Sequence, residues 1–444
     1  MFPVDNATFD AAMKHCGIKD LDTATIRQIC SLAAELERRS GEKCVHLEMG
    51  NPGLPAIQVG IEAEIKALQD GIPNKYPDIS GMPRLKQAGE RFIKAFMNLD
   101  IPARCIIPTV GSMQGCFTTF LLLGQRQPGR DTVLFLNPGF PANRNQAKIL
   151  GLREESFDIY EHRGEALEAA LEKALSSGRV TAMLYCNPNN PAWTNLTERE
   201  LEIIGKAATR HDVIVIEDVA YFGMDFRTDY SRPGEAPYPP SVARYTDNYI
   251  ILLSASKIFS YAGQRIALVC MSPAVADREY SHLAEFYGIP RFIDAYVFGV
   301  LYAASSGTAH SAQYAMAAML DAAADGTLDF VAESRDYGRR AALAKKAFAD
   351  AGFHIVYAMD GDQPISDGFF FTVGYPGMTS SQLQQKMLQH GIATISLPGT
   401  GSRQDGVRVC VSLLDNETIA TLADRLKTFH EQTQICSKKE YAQC

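Results

Sequence analysis

The stretch SASKIFSYAGQR (residues 254–265) brings an amine, a guanidinium and small hydroxyl groups close together along the chain. Its first three residues, SAS, end the apolar run YIILLSAS, so Lys257 follows a predicted buried strand and loses part of its hydration. Desolvation lowers the pKa of a lysine and makes its amine a better nucleophile. Ser254, Ser256 and Arg265 could bind an anion beside it. The pattern suits a phosphate-bearing aldehyde cofactor, and a solvated lysine with an ion-paired arginine is the alternative interpretation.

Two further motifs follow predicted strands and carry groups that such a cofactor needs. TVGSMQG passes from a strand into a helix through Gly111, which permits a tight turn, and the backbone N–H groups of a helix N-terminus are a ready anion site. VIVIEDVAYFG ends its strand in Asp218, whose carboxylate could pair with a protonated pyridine nitrogen and keep the ring an electron sink. Tyr221 could donate to the phenolic oxygen of the ring. A capping aspartate and a rim tyrosine are the alternative.

Two proline-containing turns also follow predicted strands. CNPNNPAW contains two X-Pro steps, which favour an extended and rigid turn and so fix Asn190, whose amide could donate to a cofactor oxygen. NPGFPANR offers Phe140 as a flat surface on which a ring could stack. A plain loop asparagine and a core phenylalanine are the alternatives for these two residues.

The elements that position these motifs alternate between strands and helices from about residue 105 to 305. The strand candidates are CIIPTVG, TVLFLNPG, TAMLYCNP, VIVIEDVAY, YIILLSAS and IALVCMS. Continuous apolar strands that alternate with helices predict an α/β fold with a mostly parallel sheet covered on both faces. Ligands of such sheets bind at the carboxyl ends of the strands, which is where the motifs above lie.

The remaining sequence predicts a second, smaller α+β domain. After about residue 320 come the long helix RDYGRRAALAKKAFADAG, four strand-like runs and the closing helix NETIATLADRLKTFHEQT. We expect this part to join the N-terminal segment. The predicted division is an N-terminal segment 1–50 in the small domain, a large cofactor-binding domain 51–315 and a C-terminal small domain 316–444.

Composition restricts the classes of protein. The chain is 46% hydrophobic and 21% charged, with a formal net charge of −8, so it can bury large cores and lacks the basic excess of nucleic-acid binders. No apolar run is long enough to span a membrane, and no basic-then-apolar signal peptide opens the chain. The ten cysteines show no CxxC pair and the histidines no metal-ligand spacing. We expect a cytoplasmic protein with reduced thiols and no metal.

At this point the motifs resemble a known family. SASKIFSYAGQR is similar to the cofactor-attachment motif of class I/II aminotransferases, which are fold-type I enzymes dependent on pyridoxal 5′-phosphate. MGNPG, NKYPDISGMPRLKQA and GVRVCVS resemble three other motifs of the family, and all occur in the family's order from about residue 45 to 428. The resemblance implies a large domain with a mostly parallel sheet between helices, and a smaller α+β domain built from both termini.

The resemblance also implies roles around the cofactor ring. Lys257 would hold pyridoxal phosphate as a Schiff base and then act as general base at the substrate α-carbon. Asp218 would pair with the pyridine nitrogen, while Asn190 and Tyr221 would contact the phenolic oxygen. Phe140 would stack on the ring. Lys257, Asp218 and Tyr221 are therefore the expected catalytic residues.

Other matching residues would bind the phosphate group and the substrate. The phosphate set implied by the resemblance is Ser112, Met113, Ser254, Ser256 and Arg265, the first two through backbone amides. Tyr76 would reach the phosphate of the neighbouring subunit, which implies a homodimer with shared active sites. Arg408 would grip the substrate α-carboxylate with two parallel hydrogen bonds, helped by the Gly50 backbone and by Asn190.

The activity that the resemblance implies is transfer of an amino group between an L-amino acid and a 2-oxo acid. A carbon–sulfur β-lyase or a decarboxylase could use the same site, because fold likeness does not fix the reaction. A transcription regulator with an aminotransferase-like domain is the non-enzyme alternative, but only about 45 residues precede MGNPG and they are mixed in charge.

Two positions depart from the family pattern or leave it open. Trp193, the only tryptophan, stands where the family's asparagine turn usually has glycine, so the loop after the turn could differ. Arg291 has the separation from Lys257 of an arginine that reads a second carboxylate in aspartate aminotransferases, but its flanking sequence does not match. A helix-surface arginine is the favoured interpretation of Arg291.

Overall fold

The fold contains a seven-stranded sheet, a four-stranded sheet and two pairs of short strands. The structure is a computed structural model that describes the backbone of residues 1–441 and the side chains of residues 1–435. Within that part the strands are β1 Val45–His46, β2 Ile106–Val110, β3 Thr132–Asn137, β4 Arg153–Asp158, β5 Val180–Cys186, β6 Ile214–Asp218, β7 Tyr249–Ser254, β8 Ile266–Met271, β9 His354–Ile355, β10 Met359–Asp360, β11 Gln363–Pro364, β12 Phe370–Gly374, β13 Ile392–Ala393, β14 Ile395–Ser396 and β15 Val407–Cys410.

Helices fill most of the sequence between the strands. In the same part of the chain they are α1 Asn6–His15, α2 Ile26–Ser40, α3 Gln58–Gln69, α4 Pro83–Met97, α5 Gly111–Gln125, α6 Pro141–Ile149, α7 Ala166–Leu175, α8 Glu198–Arg210, α9 Ala255–Ile258, α10 Pro273–Ala276, α11 Ser281–Tyr287, α12 Phe292–Asp294, α13 Tyr302–Ser305, α14 His310–Ala324, α15 Phe330–Ser334, α16 Asp336–Asp350, α17 Ser380–Gln389 and α18 Asn416–Tyr441. A π-helical turn, Ala295–Leu301, joins α12 to α13.

The large sheet has the order β2-β8-β7-β6-β5-β3-β4. Strands β4, β3, β5, β6 and β7 are parallel, and β8 runs antiparallel to both of its neighbours. Strands β7 and β8 are buried at every position, as expected of strands covered on both faces. Because five consecutive strands are parallel, their carboxyl ends lie at one edge of the sheet.

Helices cover this sheet by apolar faces that their sequences specify. Helix α8 begins with a capping box between Thr197 and Glu200, and it buries Leu201, Ile204 and Ala208 on one side. It packs beside β6, whereas α5 packs against β2, β7 and β8. The helices therefore hold the sheet edge, and the loops that leave it, in a fixed frame.

The smaller sheet has the order β14-β15-β12-β9 and is antiparallel. The start of the chain is attached to this region, because β1 pairs in parallel with β13 and places Val45 opposite Ile392. Helices α1 and α2 share one apolar cluster with Leu388, Ala393 and Ile395. The segment that follows β1 therefore starts beside β13, and it reaches the residues after β7, where the Ile57 amide donates to the Phe259 carbonyl at 3.3 Å.

The predicted α/β architecture is confirmed, since all six strand candidates form strands of a mostly parallel sheet flanked by helices. Strand β4 escaped prediction because REESFD is charged and its first three residues are exposed at the sheet edge. The boundaries at 50/51 and 315/316 stay predictions, and residues 442–444 of the predicted C-terminal domain lie outside the described residues. Among the described residues, no helix has the length and apolarity to cross a membrane.

One buried carboxyl group in the large sheet is a source of pH-dependent stability. Glu217 precedes Asp218 on β6 and so points to the opposite face of the sheet. Its side chain is fully buried and accepts a hydrogen bond of 2.5 Å from Ser241 Oγ. Burial raises the pKa of Glu217 to about 7 from an ordinary value of 4.5. The folded protein therefore holds this proton to a higher pH than the unfolded chain does.

We predict that Glu217→Gln flattens the pH dependence of folding stability. Ionisation of Glu217 removes stability as the pH rises from the ordinary pKa of 4.5 through the folded value of about 7, and glutamine keeps the hydrogen-bond acceptor without the charge. Between about pH 5 and pH 8 the melting temperature of the variant should fall less than that of the wild type. An equal fall in the melting temperature of the two proteins between these pH values would contradict this prediction.

Candidate active site

The motifs singled out in the sequence converge at the carboxyl edge of the large sheet. Asp218, the last residue of β6, pairs with Cys186 of β5 on one side and Leu252 of β7 on the other. The Asn187 amide donates to the Asp218 carbonyl at 3.1 Å, and Asn189 Nδ2 donates to the Pro138 carbonyl at 2.9 Å. The loops after β3, β5, β6 and β7 are therefore adjacent.

Lys257 lies in the short helix α9, directly after β7. Ser254 is buried and caps this helix, its Oγ accepting from the Ser256 amide at 3.2 Å. The Lys257 ammonium donates to the Gly50 carbonyl and stands 5.5 Å from the ring centre of Phe369. Burial is the main reason that the pKa of Lys257 falls to about 8, with Cys410 opposing the shift and Arg265 and Arg408 each adding a smaller lowering effect. A substantial fraction of this amine is thus neutral near physiological pH.

Asp218 is a half-buried carboxylate that lacks a cation. Its Oδ1 accepts a hydrogen bond of 3.0 Å from the Ala220 amide. Burial raises the pKa of Asp218 to about 6, and among the residues with described side chains none forms an ion pair with it. A desolvated carboxylate of this kind gains most from a positively charged partner.

Arg408 is the buried cation of the site. It lies on β15 with 3% of its surface exposed, and its guanidinium stacks 4.7 Å from the ring centre of Phe370. One terminal nitrogen donates to Asn190 Oδ1 at 3.3 Å and the other donates to the Glu48 carbonyl. Its Nε is buried without a hydrogen-bond partner, and burial lowers the pKa of Arg408. This guanidinium is therefore only partly satisfied by the protein.

The chain between β1 and residue 50 holds both of these cations. The Glu48 carbonyl accepts from Arg408 and the Gly50 carbonyl accepts from Lys257. The Glu48 side chain is itself fully buried, with Oε1 2.8 Å from His46 Nδ1 and no hydrogen-bond partner for Oε2. This contact and a weaker one to Glu37 raise the pKa of His46. The imidazole thus compensates a carboxylate that anchors the segment.

Sequence reasoning missed Glu48, His46 and the aromatic pair Phe369 and Phe370. The strand run HLE has His46 and Glu48 two positions apart, which places both side chains on one face of an extended segment. That spacing is the one signal that could have revealed the pair. The phenylalanines lie in a predicted strand, GFFFTVGY, but nothing local in it indicates a contact with Arg408 or Lys257.

A second cluster of donors faces the start of α5. Ser112 and Met113 are the second and third residues of this helix, and Gly111 begins it with φ of 67°. A Cβ atom at Gly111 would lie 2.5 Å from Nη2 of Arg265, so the guanidinium lies against the helix N-terminus. Arg265 is exposed and donates to the Ala262 carbonyl at 2.9 Å. Backbone amides and a guanidinium together form an anion site.

The remaining predicted residues take different positions. Phe140 is half-buried at the start of α6, and Tyr221 is buried with its ring 5.3 Å from that of Phe370. Tyr76 is 92% exposed and so contacts little of its own chain. Arg291 forms ion pairs with Asp277 and Asp294, as a surface arginine does.

Comparisons with known proteins identify the family of this chain. The profile of the family "aminotransferase class I and II" matches residues 42–426, so the chain belongs to that family. It is 24% identical over 58% of its length to an aspartate aminotransferase of Pyrococcus horikoshii, and 29% identical over 54% to the glutamate-pyruvate aminotransferase AlaC of Escherichia coli. These stretches cover 62% and 58% of the two proteins, so the chain spans about three fifths of the curated relatives it matches.

Solved structures show the same fold. An aspartate aminotransferase double mutant of Thermus thermophilus superposes with a TM-score of 0.73 at 21% identity, covering 91% of this chain and 96% of that one. A methionine aminotransferase of Escherichia coli gives 0.72 at 18% identity and covers 90% and 97%. The predicted fold-type I class is therefore confirmed.

The family depends on pyridoxal 5′-phosphate, and the site fits that cofactor. A half-buried carboxylate without a cation matches a protonated ring nitrogen, an amine with a lowered pKa matches an aldehyde, and the helix N-terminus with Arg265 matches a phosphate. The three groups come from Asp218, Lys257 and the start of α5, and they carry the three complementary chemistries.

We predict that Lys257 reacts with pyridoxal phosphate at a lower pH than an ordinary lysine does. The rate constant for uptake of the aldehyde by apoprotein, followed by stopped-flow absorbance, should rise with pH and level off above the pKa of about 8. The amine of α-N-acetyl-lysine, whose ordinary pKa is 10.5, should keep rising beyond that point. Lys257→Ala provides the baseline, and a protein profile parallel to that of acetyl-lysine would refute the prediction.

Proposed function

We propose that the protein is a pyridoxal-phosphate-dependent transaminase that moves an amino group between an L-amino acid and a 2-oxo acid. The observation that carries the proposal is the uncompensated Asp218 carboxylate, which lies at the same sheet edge as the half-buried amine of Lys257. Membership of the aminotransferase family supports it. Relatives named for transamination of aspartate, of asparagine and of glutamate with pyruvate support the reaction class.

The residues that would hold the cofactor follow from the chemistry of the donor set. Asp218 would bind the ring nitrogen, Asn190 and Tyr221 the phenolic oxygen, and Phe140 one face of the ring. The phosphate would be held by the backbone amides of Ser112 and Met113 and by the side chains of Ser254, Ser256 and Arg265. When bound, the cofactor supplies an electron sink for the negative charge left at the substrate α-carbon after proton loss.

The protein's own groups would then bind, orient and move a proton. Arg408 binds the substrate α-carboxylate through its two terminal nitrogens, and the backbone at Gly50 adds a polar contact. Binding the carboxylate fixes the direction of the Cα–H bond. Lys257 Nζ, neutral in part because burial lowers the pKa to about 8, accepts the α-proton and later returns it. Asp218 would pair with the ring nitrogen and favour its protonated form.

A carbon–sulfur β-lyase or a decarboxylase would use the same lysine, aspartate and arginine. The family and its named relatives favour transamination, and product identity separates the reactions. A lyase releases ammonia and a decarboxylase releases carbon dioxide, whereas a transaminase leaves its amino group on the cofactor until a 2-oxo acid takes it.

We predict that single L-amino acids, added without any oxo acid, convert the holoenzyme to its pyridoxamine form. The absorption band of the lysine-bound cofactor should disappear while one equivalent of the matching 2-oxo acid is released. Lys257→Ala should lose both the band and turnover, because this residue carries the attachment and the proton transfer. Turnover retained by Lys257→Ala, or ammonia or carbon dioxide in place of the oxo acid, would overturn the proposal.

We further propose that the active unit is a homodimer with shared sites, located in the cytoplasm. Tyr76 is 92% exposed, which suits a residue that completes a neighbouring subunit's site. Ile65 and Leu68 of α3 are each 48% exposed and line an open groove beside Tyr261. Exposed apolar side chains grouped in this way suit burial against a second copy. The eight cysteines with described side chains carry no disulfide, which suits a reducing compartment.

We predict that two damaged chains restore activity when they form mixed dimers. Tyr76→Ala weakens the partner's site and Lys257→Ala destroys its own, so a mixed dimer carries both lesions in one site and none in the other. Random mixing should yield about one quarter of the wild-type sites. Activity after co-expression should exceed the mean of the two variants, and activity equal to that mean would exclude sharing through Tyr76.

A further inference from the structure

Trp193 is held in a backbone conformation that tryptophan rarely adopts. Its φ is 63°, in the left-handed region that favours glycine, and its side chain is fully buried. The Trp193 amide donates to the Asn189 carbonyl at 2.9 Å, which fixes the turn. Strained residues of this kind persist only where the surrounding structure over-determines them, and they cluster at functional sites.

The indole of Trp193 crosses from the loop after β5 into the segment before β12. Its Nε1 donates to Ser366 Oγ at 2.9 Å, and Ser366 is itself buried. A Cβ atom at Gly368 would lie 2.1 Å from the indole Cζ2, so the missing side chain at Gly368 provides the slot. The indole is therefore fixed by a directional hydrogen bond and by a close-fitting space.

Inside that slot the indole supports the aromatic ring that carries Arg408. Trp193 meets Phe370 edge-on with ring centres 6.2 Å apart, and Phe370 lies 4.7 Å beneath the Arg408 guanidinium. Tyr221 closes the group, with its ring 5.5 Å from the indole and 5.3 Å from Phe370. Edge-to-face contacts of this kind are directional, so they restrict the tilt of each ring.

The same loop reaches Arg408 by a second path. Asn190, three residues before Trp193, accepts a hydrogen bond of 3.3 Å from Arg408 through its Oδ1. The turn that positions the indole of Trp193 therefore also positions the side-chain amide of Asn190. Arg408 is then fixed on its face by Phe370 and at its end by Asn190, and both supports depend on where Trp193 sits.

We propose that Trp193 is a positioning residue that orients Arg408 for the substrate α-carboxylate by bracing Phe370 and the Asn190 turn. The inference rests on the transaminase function proposed above. The indole is fully buried, so it acts through these neighbours and touches neither the cofactor nor the substrate. Arg408 binds the carboxylate in the ground state and the transition state alike, so loss of its support should mainly raise KM, and the weaker hold on the Cα–H direction should lower kcat by a smaller factor.

Three variants test whether Trp193 positions Arg408 in this way. Trp193→Gly suits the left-handed backbone but removes the indole, Trp193→Phe keeps an aromatic ring without the bond to Ser366, and Gly368→Ala keeps Trp193 but fills its slot. In holoenzyme, Trp193→Gly and Gly368→Ala should raise KM for the amino acid about tenfold with kcat changed less than about threefold. Trp193→Phe should raise KM less than Trp193→Gly does, because it keeps an aromatic ring. Arg408→Lys keeps the charge but lacks the guanidinium fork, so its KM gives the reference for loss of the paired hydrogen bonds to the carboxylate.

Two readouts do not depend on turnover. Affinity for a 2-methyl amino acid, which has no α-proton to lose, can be titrated from the cofactor absorption and should fall in parallel with the rise in KM. Trp193 is the only tryptophan, so in Gly368→Ala the emission maximum should shift to longer wavelength as the indole leaves its buried slot. Far-ultraviolet circular dichroism of each holoenzyme checks that the fold is retained.

A double-mutant cycle tests the path through Phe370. Phe370→Leu removes the ring under Arg408, and its effect on KM should not add to that of Trp193→Phe if both act on the same guanidinium. Unchanged KM and 2-methyl amino acid affinity in folded Trp193→Gly and Gly368→Ala, or fully additive effects in the cycle, would overturn the positioning role. Failure of the wild type to bind or convert any amino acid would overturn the proposed function instead.

Discussion

The site depends on two groups of opposite charge that are both partly desolvated and do not form an ion pair with each other. Burial lowers the pKa of Lys257 and raises the pKa of Asp218, so each group is pushed toward its neutral form. Neither has an ion-pair partner among the residues with described side chains. Strands β6 and β7 create this condition, because their buried side chains exclude solvent from the sheet edge where both residues stand. A ligand that is positive at one end and electrophilic at another would relieve both costs together.

The second requirement is to hold a buried cation against the same edge, and a strand of the smaller sheet supplies it. Arg408 lies on β15, far along the chain from β6, yet it reaches Asn190 after β5. The segment between β1 and Gly50 links the two parts, because its Glu48 carbonyl accepts from Arg408 and its Gly50 carbonyl accepts from Lys257. Pairing of β1 with β13 fixes the start of this segment, and the buried carboxylate of Glu48 fixes its middle. A shift of this segment would therefore move both cations.

Much of this arrangement could be predicted from the sequence, since its signals are local. Strands β5 to β8 are continuous apolar runs, and Asp218, Asn190 and Lys257 stand out as polar residues just after such runs. What could not be predicted depends on residues far apart in sequence. The exposed charges of β4 hide an edge strand, and the partner that makes Phe370 important, Arg408, lies on another strand. Local patterns give the place of a side chain, but not the side chains that meet it.

The contacts of Trp193 also involve residues far away in the sequence, so they could not be predicted from local patterns. Taken alone, a tryptophan in a left-handed turn is unfavourable, because the backbone favours glycine there. The structure accommodates it by leaving the compensating space at Gly368 and a hydrogen-bond acceptor at Ser366, both more than 170 residues away. Strain at one position and an absent side chain at another thus form one unit, and each makes sense only with the other. Because the unit spans both parts of the fold and ends at Phe370, it couples the way they pack to the orientation of Arg408.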